Sequence, residues 1–479
     1  MSANGSIVGE IAWTSLSGVH RIRGKLSGAA LTFEETEAIR IPHTDLPPAT
    51  YNVCGVRRTA TRSMKLYLLT AVALSAQIAD YPADKVADIP VNYTDAQSGN
   101  YTLPDPLTMA DGKPVRDAKA WAKRRTEILH LFEELQFGRT PPAPKKIRFD
   151  VFDKGTPALN GKALRKQITI YFGPNNDGPK MDLLLYTPAN AAGPVPVLLN
   201  AGFSANSAAV EDPGIRPGLI WNREKQRVPV PPGRGFGRLK VEPFLDAGFG
   251  VATVYYGDID PDFNGGIAHG VRSLFPAPKP DEWGTISAWA WGLSRALDYL
   301  ETDKNVNAKK VAVTGVSRLG KTVLWTGAHD PRFAMVIASC SGEGGAALSR
   351  RNYGETIAHL TAPTRYPYQF SKNYSKYAAN PADSPIDAHM LISLIAPRPL
   401  LLQTGTTDKW SDPKGEYLAA LAAAPVYKLL GQTALAAKDV PPAGETVMTT
   451  LGYHMHAGGH GMVPADWDVF LKFMKAYLR

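Results

Sequence analysis

The sequence predicts an α/β fold, a three-layer sandwich whose mostly parallel central sheet carries helices on both faces. Three observations point to it. Near-continuous apolar runs such as "VPVLLNAGF" (Val195–Phe203), "KVAVTG" and "RPLLLQTG" have the length of strands, and strands buried on both faces belong to parallel sheets. Stretches with helical apolar spacing alternate with these runs, as strand–helix–strand crossovers require. Long loops at Pro229–Gly237 and Asn352–Pro385 interrupt the alternation, and in such folds long loops shape a site.

The elements follow in chain order. Residues 1–63 show no sustained periodicity and read as a leader created by a start site set too early, or as a disordered extension. From Met64 the chain reads "MKLYLLTAVALSAQIADYP", with a short basic start, an apolar stretch and small residues. That is the layout of a secretory signal, and it is too short to span a membrane. Residues 64–76 are therefore assigned as a signal peptide cleaved near 75–77, and the mature protein as secreted or periplasmic. Of two cysteines, Cys54 falls in the leader; Cys340 alone cannot form an internal disulfide. Residues 77–115 are rich in Pro and Asp and read as an extended wrapping segment.

Residues 116–479 form the main domain. Its first helix, from Arg116, stops at Gly138. "KQITIYF" and "KMDLLLYTP" pair as antiparallel strands, Val195–Phe203 is a buried strand, and "FLDAGFGVATVYYGDI" holds a helix end and a strand. A strong helix covers Asp281–Glu301. Strand "KVAVTG", helix "KTVLWTGAHD", strands "FAMVIASCS", "RPLLLQTG" and "TVMTTLGYH", and helix "DWDVFLKFMKAYL" complete the order. The composition, 44% hydrophobic and 20% charged, is that of a soluble globular chain. The net charge is +9, but no Lys/Arg run with interleaved aromatics marks a nucleic-acid face.

The stretch "GVSRLGKT" (Gly315–Thr322) admits two readings. It satisfies the phosphate-loop pattern G-x-x-x-x-G-K-[ST], and it also puts Ser317 on a tight turn between a strand and a helix. The first reading is disfavoured. Several strands precede the loop, Arg318 and Leu319 are bulky for a phosphate cradle, and the next strand ends in Ser339, Cys340 and Ser341 instead of a magnesium-binding Asp. The second accounts for more. In α/β-hydrolases a serine, an acid and a histidine follow in that order at the carboxyl ends of strands. Here Ser317 follows "VAVTG", Asp408 follows "PLLLQTG", and His460 precedes the closing helix. A serine hydroxyl needs such a base in reach, and the base needs a buried carboxylate to hold its tautomer.

The elbow departs from G-x-S-x-G, with glycine one place later at Gly320. This variant, with "APRPLLLQTGTTDKWSDP" and "GGHGM…DWDVFLKF", resembles the glucuronoyl esterases over roughly Pro104–Arg479. The resemblance implies a serine esterase that cleaves esters of 4-O-methyl-D-glucuronic acid on xylan with lignin alcohols, needing no cofactor or metal; a monomer is expected, though the sequence does not fix the oligomeric state. It implies Ser317 as nucleophile, His460 as base and Arg318 as a cation aimed at the developing oxyanion. Lys321 and Glu355 match positions that bind sugar hydroxyls, and Trp410 an aromatic that lines the sugar site. Many members carry Glu-Ser-Gly where this chain has Cys340-Ser341-Gly342. The acid is therefore assigned to Asp408, with Glu343 as the competing choice. A second oxyanion donor is expected around Gly202-Phe203.

Other features carry less. His454 and His456 share a strand face and, with His460, could ligate a metal, but further ligands are lacking. "GRGFG" at Gly233–Gly237 has no following helix and is a loop. His130, His269, His329, His359 and His389 read as structural or surface residues. The rival functions are an acetyl-xylan esterase or another carbohydrate deacylase on the same scaffold, and a carbohydrate-binding protein that has lost catalysis.

Overall fold

The computed structural model describes the backbone at 6–13, 18–27 and 30–40, and residues 84–144, 147–230, 238–437 and 439–479. The signal-peptide assignment at 64–76 and the Gly233–Gly237 loop lie outside the described residues. The chain divides into two compact units, 1–79 and 80–479. In the first, Ser6–Trp13, Gly18–Ser27 and Ala30–Arg40 form a three-stranded antiparallel sheet in that order.

The second unit is built on a ten-stranded sheet. Its strands are β1 (Arg148–Ala158), β2 (Ala163–Tyr171), β3 (Lys180–Pro188), β4 (Val195–Gly202), β5 (Gly250–Tyr255), β6 (Val306–Val316), β7 (Met335–Ser339), β8 (Leu400–Gly405), β9 (Thr446–Val447) and β10 (Leu451–His456). Their spatial order is β9-β10-β8-β7-β6-β4-β5-β3-β2-β1. The six strands from β10 to β5 run parallel; β1–β3 and β9 pair antiparallel. Successive residues of a strand point to opposite faces, and the two cores follow that period. Val197 and Leu199 of β4 enter one core while Leu198 enters the other; Val336 and Ala338 of β7 oppose Met335 and Ile337 in the same way.

On the first face pack α1 (Ala118–Leu135), α3 (Thr285–Leu300), α4 (Arg318–His329), α5 (Ala388–Ser393) and α6 (Pro413–Leu429). On the second lie α2 (Val241–Asp246) and α7 (Asp466–Tyr477). Helix α1 starts where the Asp117 carboxylate accepts the Ala120 N–H at 2.7 Å, satisfying one of the orphan donors of a helix start. Helix α6 was absent from the sequence reading. Asp412 caps it by accepting from Gly415 N at 3.0 Å, and Pro413 opens it, but Pro425 sits inside it. Packing of Tyr417, Ala420 and Val426 into the core overrides that interruption.

Helix α4, which begins at the elbow, is closed at its far end by two half-buried arginines. Arg125 donates to Ala328 O at 2.5 Å, and Arg398 donates to Gly327 O at 2.5 Å and Phe333 O at 2.8 Å. Cations at a helix C-terminus complement its partial negative charge. Burial, reinforced by Arg125, lowers the Arg398 pKa to about 10. Arg398→Ala strands these carbonyls and is expected to cost about 3 kcal/mol. A thermal melt should record this as a Tm several degrees lower.

The segment that precedes α1 makes main-chain contacts with the loop beginning at Asn352. Its Asn92 side chain donates to Asn352 O at 2.6 Å, and Asn92 O accepts from Gly354 N at 2.8 Å. Ser98 O accepts from Asn352 N at 3.1 Å, and Arg351 donates to Ser98 Oγ at 2.9 Å. This strap holds the start of the 352–385 loop, which carries Glu355.

Candidate active site

Ser317 stands between β6 and α4 with φ +59° and ψ −126°. An L-residue adopts this conformation only where its surroundings enforce it. Its N–H donates to Ser339 O at the end of β7 (2.8 Å), and its carbonyl accepts from Lys321 N (3.0 Å). The flanking glycines explain the altered spacing of the motif. A Cβ at Gly315 would lie 2.6 Å from Leu319 O, and one at Gly320 would lie 2.6 Å from Ser339 O. Helix α4 crosses the end of β7 at position 320, so glycine is required there, while Leu319 is free to serve the core.

The acid and the histidine meet on the neighbouring loops. Asp408 follows β8 and is fully buried; its Oδ2 lies 2.8 Å from Nδ1 of His460, which is about one-third exposed. Ser411 Oγ also approaches His460 Nδ1, at 3.1 Å. A buried carboxylate on one ring nitrogen fixes the tautomer and leaves the other nitrogen to work as base. Glu343 is not part of this arrangement. It accepts from Ser349 Oγ (2.6 Å) and Tyr374 OH (2.8 Å), and burial pushes its pKa up to about 8.

Cys340 lies against the pair. Its Sγ, an Asp408 oxygen and a His460 nitrogen fall within 4.8 Å of one another. Burial, with the nearby Asp408 and Glu416 carboxyls, drives the thiol pKa well above the ordinary value. The group remains a neutral donor, bonded to Gly461 O at 3.3 Å. His454 and His456 turn elsewhere: both engage Asp466, at 3.2 and 3.0 Å. They form a polar anchor for α7 and do not join His460.

Arg318, first residue of α4, forms an ion pair with Asp262 and lies over the Tyr366 ring at 4.7 Å. Burial by itself would lower its pKa, but Asp262 and the surrounding tyrosines raise it. Asp262 gathers this corner, accepting also from Tyr256 OH (3.1 Å), Tyr368 OH (3.0 Å) and Gln369 Nε2 (2.7 Å). The sequence reading missed Asp262, because no motif surrounds it and its partners other than Tyr256 lie far away along the chain.

One turn further along α4, buried Lys321 reaches Glu355 at 3.6 Å. Arg365 donates to the other Glu355 oxygen at 2.9 Å and lies over the Tyr366 and Trp410 rings at 4.7 and 5.4 Å. Trp410 is half-buried, and its carbonyl accepts from Glu355 N at 2.9 Å. His359, read as structural or surface, packs edge-on against Trp410 at 5.3 Å. The loop after β4 brings Phe203 against Tyr256, beside the Asp262 corner. The seven site residues read from the sequence thus fall into a pair (Asp408, His460), an elbow (Ser317, Arg318) and a polar-aromatic wall (Lys321, Glu355, Trp410). The elbow and the wall are joined through α4.

Comparison with known proteins agrees with this geometry. Residues 271–431 match the family model described as glucuronyl esterase, fungi. A carbohydrate esterase of an unknown prokaryotic organism is 46% identical over 396 residues, covering 80% of this chain and 91% of the relative. A 4-O-methyl-glucuronoyl methylesterase of Wolfiporia cocos is 30% identical over 344 residues, covering 69% of this chain and 73% of its own. The solved glucuronoyl esterase from Solibacter usitatus superposes with a TM-score of 0.77 at 45% identity, over 80% of this chain and 100% of its own. Strand order, elbow and relatives agree: the chain belongs to the glucuronoyl esterases, carboxylic ester hydrolases of the α/β-hydrolase fold.

Proposed function

We propose that the chain hydrolyses the ester joining 4-O-methyl-D-glucuronic acid of glucuronoxylan to a lignin alcohol, acting as a monomer outside the cytoplasm. Ser317 Oγ attacks the ester carbonyl while His460 removes its proton, and Asp408 steadies the imidazolium. The tetrahedral oxyanion forms against Arg318 and backbone N–H groups. Its collapse breaks the bond to the alcohol, which leaves with the proton from His460. Water, deprotonated by His460, then attacks the acyl-serine, and glucuronate is released as Ser317 regains its proton. The observation that carries this reading is the strained Ser317, followed directly by the half-buried Arg318 and, one turn on along the same helix, by Lys321 facing Glu355 of the 352–385 loop. An acyl group that is itself a sugar needs hydroxyl partners so placed. Among the described residues no helix is long and apolar enough to cross a membrane.

The test is hydrolysis of benzyl glucuronate, with benzyl galacturonate and acetylated xylan in parallel and Ser317→Ala as the blank. Cleavage of the glucuronate ester alone supports the reading. Release of acetate with the glucuronate untouched replaces it by a deacetylase. Within the same assay, Lys321→Ala is expected to raise KM for benzyl glucuronate about tenfold. It should leave kcat/KM for phenyl acetate within about twofold, since that acyl group has no hydroxyls to hold.

A further inference from the structure

Behind the Asp408–His460 pair lies a second buried carboxyl group that the proposed mechanism does not use. Glu416, in α6, is fully buried. Its Oε1 accepts from Gly342 N at 2.6 Å and Ser341 Oγ at 3.2 Å; its Oε2 has no hydrogen-bond partner. The charged and titratable groups facing it are Asp408 on the acid loop, Lys321 on α4, Cys340 after β7 and Tyr453 on β10. Lys321, the cation among them, is turned to Glu355.

Two carboxylates in one dry pocket cannot both be ionised cheaply, and their surroundings decide which one is. Asp408 has the imidazole at 2.8 Å and the Ser411 N–H at 3.3 Å. Glu416 has two donors on one oxygen and nothing on the other. We propose that Glu416 is a positioning residue that works as a neutral acid, clamping the Cys340–Gly342 turn to α6 and leaving Asp408 the one anion behind His460. The clamped turn matters to the nucleophile as well. Ser341 Oγ accepts from Ala346 N at 3.0 Å, and a Cβ at Gly320 would stand 3.1 Å from Ser341 Cβ, so the turn abuts the first turn of α4. Glu416 thereby sets the spacing between the helix after the acid and the helix after the serine.

Burial pushes the Glu416 pKa up to about 8. The folded state therefore holds this proton more tightly than the unfolded chain, whose value lies near 4.5. The resulting stabilisation is full below about pH 4.5 and is lost as pH rises through about 8. Ionisation would set a second anion beside Asp408 and pull Lys321 away from Glu355.

This inference rests on Asp408 being the acid, and the test separates the two. kcat/KM for benzyl glucuronate is measured from pH 6 to 9.5 for the parent, Glu416→Gln, Glu416→Met and Asp408→Asn, with Ser317→Ala subtracting spontaneous hydrolysis. The parent is expected to decline above about pH 8. Glu416→Gln keeps the acceptor oxygen. It should stay within about threefold at pH 7 and at pH 9 retain at least about fivefold more of its pH 7 value than the parent. Glu416→Met, neutral but without an acceptor, should be slower throughout and also lack the decline; it decides the matter if the Gln variant folds poorly. An alkaline decline unchanged in both variants overturns the proposal, as does a tenfold loss at pH 7 in a folded Gln variant. Full activity in Asp408→Asn overturns the triad reading. An inactive Asp408→Asn beside an unmoved Glu416 profile overturns only the role of Glu416.

Discussion

Asp408→Asn is expected to lower kcat on benzyl glucuronate by about a thousandfold or more, and Ser317→Ala to bring hydrolysis to background. The asparagine keeps the shape of the aspartate, but its amide can present N–H to His460 Nδ1. The ring then holds its proton on the wrong nitrogen, and the imidazolium formed during attack has no counter-charge. Full burial of Asp408 makes the effect large, because no water can replace the lost anion. Cys340→Ala, by contrast, should leave kcat within about threefold, since a neutral thiol bonded to Gly461 O supplies no charge. Purified variants assayed at pH 7 decide between them. If Cys340→Ala or Glu343→Gln were the crippling change, the acid would have to be reassigned.

Arg318→Ala is expected to lower kcat by about a hundredfold to a thousandfold with little change in KM. The guanidinium sits one residue from the nucleophile and is only about one-quarter exposed, so its field at the developing oxyanion is only partly screened. Arg318→Lys should recover only part of the loss, because an ammonium cannot keep both the Asp262 pairing and the stacking on Tyr366. Asp262→Asn tests orientation separately from charge. It should cost about tenfold in kcat, with the loss smaller when Arg318 is already alanine. Additive losses would mean that Asp262 acts on its own account.

Much of this was legible in the sequence because the informative contacts are local. An apolar strand, a tight turn and a helix are consecutive in the chain, so Ser317 could be placed from its context, whereas the role of Arg318 came from the family resemblance. Asp408 and His460 were legible from their positions after strands and their order. Asp262 and Glu416 were not. Their partners come from residues 341–342 and 368–369 as well as from α4, and no spacing rule connects them. Helix α6 escaped because Pro425 contradicts local propensity and only tertiary packing overrides it. The elbow glycine displaced to position 320 looked anomalous in sequence. In three dimensions it marks where α4 meets the end of β7.

The strap has a consequence for how activity is lost. Asn92 and Ser98 hold the loop bearing Glu355 through main-chain contacts at Asn352 and Gly354, whereas the strands carrying Ser317 and Asp408 lie in the middle of the sheet. Local opening begins where few apolar contacts resist it. On gentle heating the enzyme should therefore become indiscriminate before it becomes inactive. Its preference for a glucuronate over a simple acetate should fade several degrees below the temperature at which ester cleavage stops. A temperature ramp followed with both substrates would show the two losses separated, and simultaneous loss would mean that the strap melts with the sheet.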